Sequence, residues 1–310
     1  MATEHNYQAS TGGINGQTLE KDFSNTGYHN GYNENNGHLH GDMEPNDALK
    51  RIQTAGSISI SPELFEKIYL SPQNAVKGEL RKTVGNPTPL ALIGFLIVLS
   101  PLSCQLMNWR GAAGGAAVGA AGTGTYYFFG GLLMILGSLG EFLVGNTFPF
   151  VVFGSFGAFW LSFAATLQPF YNAYGAYSPD PTNPGLGLGT VAFHSSYAFF
   201  FIAMGLMCFI YMILSLRTNI TFFIIFFTLV LGFGFLAGAY FQISNGNLAL
   251  AGRLQTAAGA FTFVTCAAGW WIFFAIMLAA LDFPFQLPVG DLSSLVKGAS
   301  ERKKAAELRV

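Results

Sequence analysis

The sequence predicts an all-α integral membrane protein with six transmembrane helices. Hydrophobic residues make up 51% of the 310 residues and charged residues only 10%, whereas soluble domains carry about 25% charged residues. The charges are concentrated towards the two ends, and residues 111–216 contain no Lys or Arg. Six apolar runs are each long enough to cross the hydrocarbon core of a bilayer, which takes about 20 residues.

The six predicted spans follow one another with mostly short connections. They cover residues 90–109, 125–145, 147–168, 190–216, 219–242 and 255–281. The second and third spans almost touch, as do the fourth and fifth, so we expect two tight helical hairpins. The loop Ser178–Gly189, between the third and fourth spans, is rich in Pro and Gly, which are typical of turns.

The composition of the chain predicts four segments: two at the N-terminal end, the apolar region and a C-terminal tail. Residues 1–56 are predicted to be a disordered polar tail, residues 57–85 a membrane-proximal segment, residues 86–283 the six-helix transmembrane domain and residues 284–310 a C-terminal tail. Thirteen of the 15 Lys and Arg residues fall on the side of the two termini. The positive-inside rule therefore predicts that both termini and the two flanking segments are cytoplasmic.

Several function classes are excluded by what the sequence lacks. A net charge of −1 gives no basic footprint for nucleic acid. Cys104, Cys208 and Cys266 are isolated in apolar runs, which indicates buried thiols rather than metal ligands. No zinc-hydrolase, phosphate-loop or serine-hydrolase motif occurs. We therefore expect no enzyme activity, no cofactor and no metal.

Glu141 is the only acidic residue within the predicted spans. A carboxylate at membrane depth is costly, and it usually faces protein or a wet cavity. Gly130 and Gly137 precede it at steps that place all three on one helix face. Two interpretations stay open: Glu141 couples transport to protons, or it only forms a hydrogen bond with a neighbouring helix.

Two predicted helix starts carry the same kind of motif. Asn86-Pro87-Thr88 precedes the first span, and Asn146-Thr147 precedes the third. A helix start directs free N–H groups and a partial positive charge outward, which suits a carboxylate ligand. These residues are predicted to hold a small anion, and ordinary helix capping is the alternative.

His194 is the only histidine in the predicted membrane region, and it lies near the start of the fourth span. An imidazole titrates near neutral pH and can move protons. The neighbouring hydroxyls of Ser195, Ser196 and Tyr197 favour a simpler prediction, in which they form hydrogen bonds with the histidine.

Two longer motifs resemble those of a known family. Residues 86–95, NPTPLALIGF, are similar to the pattern N-P-A-P-L-G-L-x-G-F. A second family block, E-x-x-x-(G/E)-N-T-F followed by S-Y-G-x-F-W-L, is matched in the same order. Here it reads Glu141, then GNTF at 145–148 and SFGAFWL at 155–161. The chain therefore resembles the acetate uptake transporter family, also called the glyoxylate-pathway-regulator/YaaH or succinate–acetate permease family. The resemblance covers about residues 57–290, and the long polar tail suits a fungal member.

The resemblance implies a plasma-membrane permease for acetate and similar monocarboxylates. Members of this family assemble as hexamers in which each protomer has its own pore, so a homohexamer is expected. The family pore is narrowed by side chains from the first, third and fifth spans. Matching the family motifs to this sequence gives Phe95 in the first span and Phe156 in the third. A looser match gives Leu229 in the fifth span.

This chain departs from the family pattern at several positions. Thr88 replaces the usual Ala and Ala91 the usual Gly, whereas Phe129, Met134 and Phe156 stand where Tyr, Gln and Tyr are usual. Each of the last three changes removes a hydrogen-bonding group from the bundle. These losses and the long polar tail make a membrane sensor with little transport one alternative to an acetate permease. The resemblance supplies the other, an ammonia or ammonium exporter, which has been proposed for some relatives.

Overall fold

A computed structural model describes residues 84–112 and 118–292, together with the backbone at 38–39 and 59–60. Strand β1 (His38–Leu39) pairs in parallel with β2 (Ser59–Ile60). The rest of the predicted N-terminal tail, most of the membrane-proximal segment and residues 293–310 lie outside the described residues.

Six long helices follow, and each is long and apolar enough to cross a membrane. They are α1 (Thr88–Leu106), α2 (Ala120–Leu143), α3 (Thr147–Leu167), α4 (Val191–Ser215), α5 (Ile220–Ser244) and α6 (Leu248–Ala280). The six-helix prediction is confirmed, and the two tight hairpins occur at the α2–α3 and α4–α5 turns.

The largest difference from the predicted boundaries is at α6, which begins seven residues earlier than the predicted Gln255. The Asn247 side chain accepts a hydrogen bond from the Leu250 N–H over 3.2 Å and so caps the helix start. Arg253 lies within this first part of α6 and is exposed. A long cationic side chain near a helix end can extend to the aqueous interface, so its charge does not prevent the helix from continuing.

Helix α2 changes its winding along its length. Residues Tyr126–Leu133 form π-helical turns, and Met134–Leu143 is regular α-helix. A Cβ on Gly137 would meet Ala91 of α1, whereas a Cβ on Gly130 would meet Trp160 of α3. The predicted single face for Gly130 and Gly137 is therefore wrong, because the wider turns between them change the angular step per residue.

The helices pack mainly as sequence neighbours, with α1 closing the set against α6. Contacts join α1 to α2 and α6, α2 to α3, and α5 to α4 and α6. We call the end of this bundle that contains the α2–α3 and α4–α5 turns the turn end. The opposite end, with the α1–α2, α3–α4 and α5–α6 connections, is the loop end.

Candidate functional site

Three apolar side chains from different helices meet in the middle of the bundle. Phe95 (α1) and Phe156 (α3) contact each other edge to face, with ring centroids 5.8 Å apart. Leu229 (α5) lines the same two cavities as both phenylalanines. All three are at most 6% exposed. We call them the central barrier, and they are the three residues that the family motifs indicated.

One small cavity lies on each side of the central barrier. The cavity towards the loop end has a volume of about 30 Å³, and so does the cavity towards the turn end. The first is lined in addition by Leu99, Leu102, Leu106, Phe159, Trp160, Phe233, Leu236 and Thr262. The second is lined by Leu92, Met134, Val152, Phe153, Phe222, Ile225 and Phe226. Each cavity is large enough for a water molecule, which needs a cavity of about 10–15 Å³.

A much larger cavity of about 510 Å³ lies at the loop end, and we call it the vestibule. It shares Leu102, Leu106, Phe159 and Leu236 with the neighbouring small cavity. Its lining also includes His194, Tyr240 and Gln255. An apolar cavity of this size with a few polar groups is typical of a small-molecule site. From the loop end to the turn end, the bundle therefore contains the vestibule, the first small cavity, the central barrier and the second small cavity.

His194 lies in the wall of the vestibule and is 7% exposed. Its Nδ1 has no hydrogen-bond partner among the described residues. The imidazole packs edge to face on Tyr240, with ring centroids 5.2 Å apart. Ser195 donates its hydroxyl to Ser244 instead, over 2.9 Å. The predicted hydrogen bonds between His194 and its neighbouring hydroxyls are therefore absent, and the ring faces a cavity.

The α3–α4 connection beside the vestibule is ordered by local hydrogen bonds. Asp180 Oδ1 accepts from the Thr182 hydroxyl over 2.7 Å and from the Thr182 N–H over 2.9 Å. These bonds favour the ionised carboxylate and lower the pKa of Asp180. The Ser178 hydroxyl donates to the Asn183 carbonyl over 2.8 Å, which closes the same turn.

Glu141 is fully buried near the turn end, where it joins three parts of the chain. The Thr88 hydroxyl, at the start of α1, donates a hydrogen bond to Oε1. The Asn146 side-chain amide, at the start of α3, donates to Oε2 over 2.6 Å. We call these three residues the Glu141 cluster. The two predicted helix-start motifs are thus brought together, and they meet on a carboxylate that belongs to the protein.

The other helix-start residues have different surroundings. Asn86 Oδ1 accepts from the Thr88 N–H over 2.9 Å, so its side chain is bonded to the first residue of α1. The Pro87 ring packs so closely on α2 that a Cβ on Gly140 would lie 2.5 Å from it. Thr147 is exposed. Their predicted role in holding a substrate anion stays a prediction.

At Phe129, Met134 and Phe156 this chain lacks the polar groups usual in the family, and only two of these side chains line a small cavity. Met134 lines the cavity on the turn-end side, and Phe156 belongs to the central barrier. Phe129 is 39% exposed and lines neither small cavity. Two of the three changes therefore place apolar side chains in the lining of the small cavities.

Sequence patterns did not indicate the vestibule residues Tyr240 and Gln255. Membrane helices are apolar on all sides, so periodicity does not show which side chains face a cavity. Within the described residues, no group of three or more His, Cys, Asp or Glu side chains could hold a metal ion.

Known proteins resemble this chain in sequence and in fold. Residues 69–294 match the GPR1/FUN34/yaaH family. The chain belongs to this family. It is 47% identical over 237 residues to protein alcS of Aspergillus fumigatus, which covers 76% of this chain and 86% of that protein.

Two further family relatives carry names that refer to transport. The acetate transporter protein patA of Aspergillus clavatus is 30% identical, over 68% of this chain and 80% of its own length. The ammonia transport outward protein 2 of Saccharomyces cerevisiae is 28% identical, over 63% of this chain and 68% of its own length.

The fold also matches a solved structure of the bacterial acetate channel SatP. The match has a TM-score of 0.50 and 22% sequence identity, and it covers 67% of this chain and 99% of that chain. At this identity the likeness shows a common fold.

Proposed function

We propose that this protein is a membrane permease for acetate and related short-chain monocarboxylates. One observation carries the proposal: side chains from α1, α3 and α5 form a single apolar barrier in line with the vestibule and two small cavities. A short apolar constriction of this kind can gate a pore. The names of the fungal relatives and of the structural neighbour support acetate as the substrate class.

The size and polarity of the path favour a small substrate. Each cavity beside the central barrier holds about 30 Å³, and an ionised carboxylate loses much hydration energy in apolar surroundings. Crossing as the neutral acid avoids this loss. We therefore propose that acetate crosses the barrier together with a proton, which predicts that flux changes the pH inside vesicles.

Orientation, assembly and location belong to the same proposal. The distribution of Lys and Arg supports a turn end that faces the cytoplasm, so the vestibule opens outward. Many large apolar side chains are exposed on the single protomer. Lipid and a homohexamer with one path in each protomer would cover them, and the plasma membrane is the proposed location.

The Glu141 cluster supports a positioning role for its carboxylate. Thr88 and Asn146 both donate to Glu141, so these two side-chain donors are already used by the protein. We propose that Glu141 holds the start of α1 against the start of α3 at the turn end of the path. Direct proton transfer through Glu141 is the alternative.

The deciding experiment is flux into liposomes that contain the purified protein. Acetate, formate, lactate, succinate and ammonium are compared under one proton gradient. Saturable acetate flux that exceeds succinate flux supports the proposal. A folded oligomer that moves none of the carboxylates would overturn it and would favour a membrane sensor.

The yeast relative named for outward ammonia transport favours ammonia or ammonium as a second candidate substrate. A neutral ammonia molecule is small enough for the same apolar barrier. The two functions are separated by the same liposomes, because ammonium flux without acetate flux would support export of ammonia.

A further inference from the structure

The chain after α6 folds back across the α4–α5 turn. We call residues 287–292 the strap. The Ile220 N–H donates to the Gly290 carbonyl over 2.9 Å, and the Leu292 N–H donates to the Thr218 carbonyl over 3.1 Å. The two segments thus pair in antiparallel fashion next to the start of α5. These residues were assigned to the C-terminal tail from the sequence, and in the structure they are bonded to the bundle.

Side chains add to this backbone pairing. The Thr221 hydroxyl of α5 donates to the Val289 carbonyl over 3.2 Å. The Trp271 indole of α6 donates to the Pro288 carbonyl over 2.8 Å. Val289 itself is only 2% exposed, so its side chain is buried in the bundle. The strap is therefore fixed to α5 and α6 together.

The part of α5 that the strap holds is also part of the path. Phe222, Ile225 and Phe226, in the first two turns of α5, line the cavity on the turn-end side of the barrier. Leu229, one turn further, belongs to the barrier. The first N–H groups of a helix need partners from outside it. The Gly290 carbonyl supplies one for Ile220, so the strap completes the start of this helix.

We infer that the strap positions the start of α5 and thereby sets the width of the turn-end cavity. This inference rests on the proposed function, since the width matters only if a substrate passes there. The strap residues line none of the three cavities described above and act through Phe222, Ile225 and Phe226. When the strap is detached, the start of α5 loses its attachment to α6 through Trp271, and a substrate larger than acetate gains access.

Gly290 offers a direct way to detach the strap. Its φ angle is +68°, and an added Cβ would clash with Ile220 Cγ2. Gly246 in the α5–α6 turn supplies the matched control, because its φ is +74° but nothing lies within 4 Å of an added Cβ. Gly290→Ala and Gly246→Ala therefore share the backbone strain, and only the first pushes the strap away from α5.

The test compares propionate and acetate flux in the full-length protein in liposomes. One methylene group is worth about tenfold or more in discrimination by an apolar site. Gly290→Ala is expected to raise the propionate-to-acetate ratio by about threefold to tenfold, as part of that discrimination, while Gly246→Ala keeps the wild-type ratio. Hydrogen exchange measured by mass spectrometry should become faster at residues 220–226 in Gly290→Ala alone.

A second variant covers the case in which Gly290→Ala does not fold. Thr221→Val removes the hydroxyl that bonds to Val289 and keeps the side-chain shape, and Thr221→Ser is its control. The inference would be overturned if hydrogen exchange at residues 220–226 became faster in both variants while their propionate-to-acetate flux ratio stayed at the wild-type value. It would also be overturned if hydrogen exchange at these residues did not change. If the wild-type protein transports neither acid, the proposed function is wrong. If the wild-type protein transports acetate and the variants have the same flux ratio, only the inference about the strap is wrong.

Discussion

Phe95 and Phe156 meet edge to face at a centroid distance of 5.8 Å, and they separate two cavities of about 30 Å³ each. Leu229 lines both cavities. The narrowest part of the proposed path thus depends on three side chains from three helices. Removing part of any of them should join the two cavities and relax selection by size.

Leu229→Ala is the first test of this barrier. The change removes a buried side chain, which costs about 2–5 kcal/mol of stability in a core site. We expect lactate and propionate flux to rise relative to acetate flux by about tenfold, because the cavities become continuous and one methylene already gives about that discrimination. Leu206→Ala is the control, since Leu206 on α4 is 61% exposed. Equal flux ratios in the two variants would contradict a barrier at Leu229.

Thr88→Val tests the Glu141 cluster from the side of α1. Valine keeps the shape of threonine but leaves Glu141 Oε1 without the hydroxyl of Thr88. A buried polar atom that loses a partner costs about 1–3 kcal/mol, so the variant should melt earlier in detergent and transport more slowly. Thr88→Ser keeps the hydroxyl and should stay close to wild type in thermal unfolding followed by size-exclusion chromatography. A valine variant that melts like the serine variant would show that the bond contributes little.

Glu141→Gln tests the carboxylate itself. The new amide retains one acceptor oxygen but turns an N–H₂ group towards one of the two donors, Thr88 or Asn146. We expect reduced abundance and reduced acetate flux. In the double variant with Thr88→Val the two losses should not add, because the residues share one interaction. Wild-type abundance together with wild-type pH dependence would remove Glu141 from the mechanism.

Gly137→Ala tests the close contact between α1 and α2. An added Cβ would lie 2.6 Å from the Cβ of Ala91. Overpacking of this kind costs about 1–3 kcal/mol, and it also forces α1, which carries Phe95, away from α2. Gly124→Ala is the matched control on α2, since nothing lies within 4 Å of its added Cβ. We expect a lower melting temperature for Gly137→Ala and an unchanged or higher one for Gly124→Ala.

Thr182→Val tests the lowered pKa of Asp180. Without the threonine hydroxyl, the pKa of Asp180 should rise towards its ordinary value, because the larger of the two hydrogen-bond contributions is lost. A carboxyl whose pKa is lowered by folding stabilises the loop above its ordinary pKa and loses that contribution as the pH falls through the lowered value. NMR titration of labelled Asp in both proteins measures the shift. An identical Asp180 titration in wild type and variant would contradict the hydrogen-bond explanation.

The sequence predicted the six helices because each apolar run is long enough to span the hydrocarbon. The family motifs also indicated Phe95 and Phe156, which the structure brings into contact, and their role as a constriction stays a prediction. Leu229 came from a looser match, and the structure places it beside them. Periodicity alone selects none of these residues, because a helix that is apolar all round presents no distinct face.

The features that escaped prediction depend on contacts distant in sequence. Thr88 and Glu141 are 53 positions apart, and Thr221 and Val289 are 68 apart. The strap is bonded largely through backbone atoms, which carry no side-chain signal in the sequence. The predicted sixth span begins at Gln255, after the charged Arg253, whereas in the structure the Arg253 side chain is exposed within the helix.

The position of Glu141 has a consequence for how the protein is made. Because synthesis runs from the N-terminus, Thr88 has already emerged when Glu141 leaves the ribosome, and Asn146 follows five positions later. The hydroxyl partner is therefore present before the acid enters the lipid, and the amide partner arrives almost at once. A chain with a delayed or missing first helix would have to insert this acid with one of its two partners absent. The Glu141 cluster thus links correct membrane insertion to the order in which the helices are synthesised.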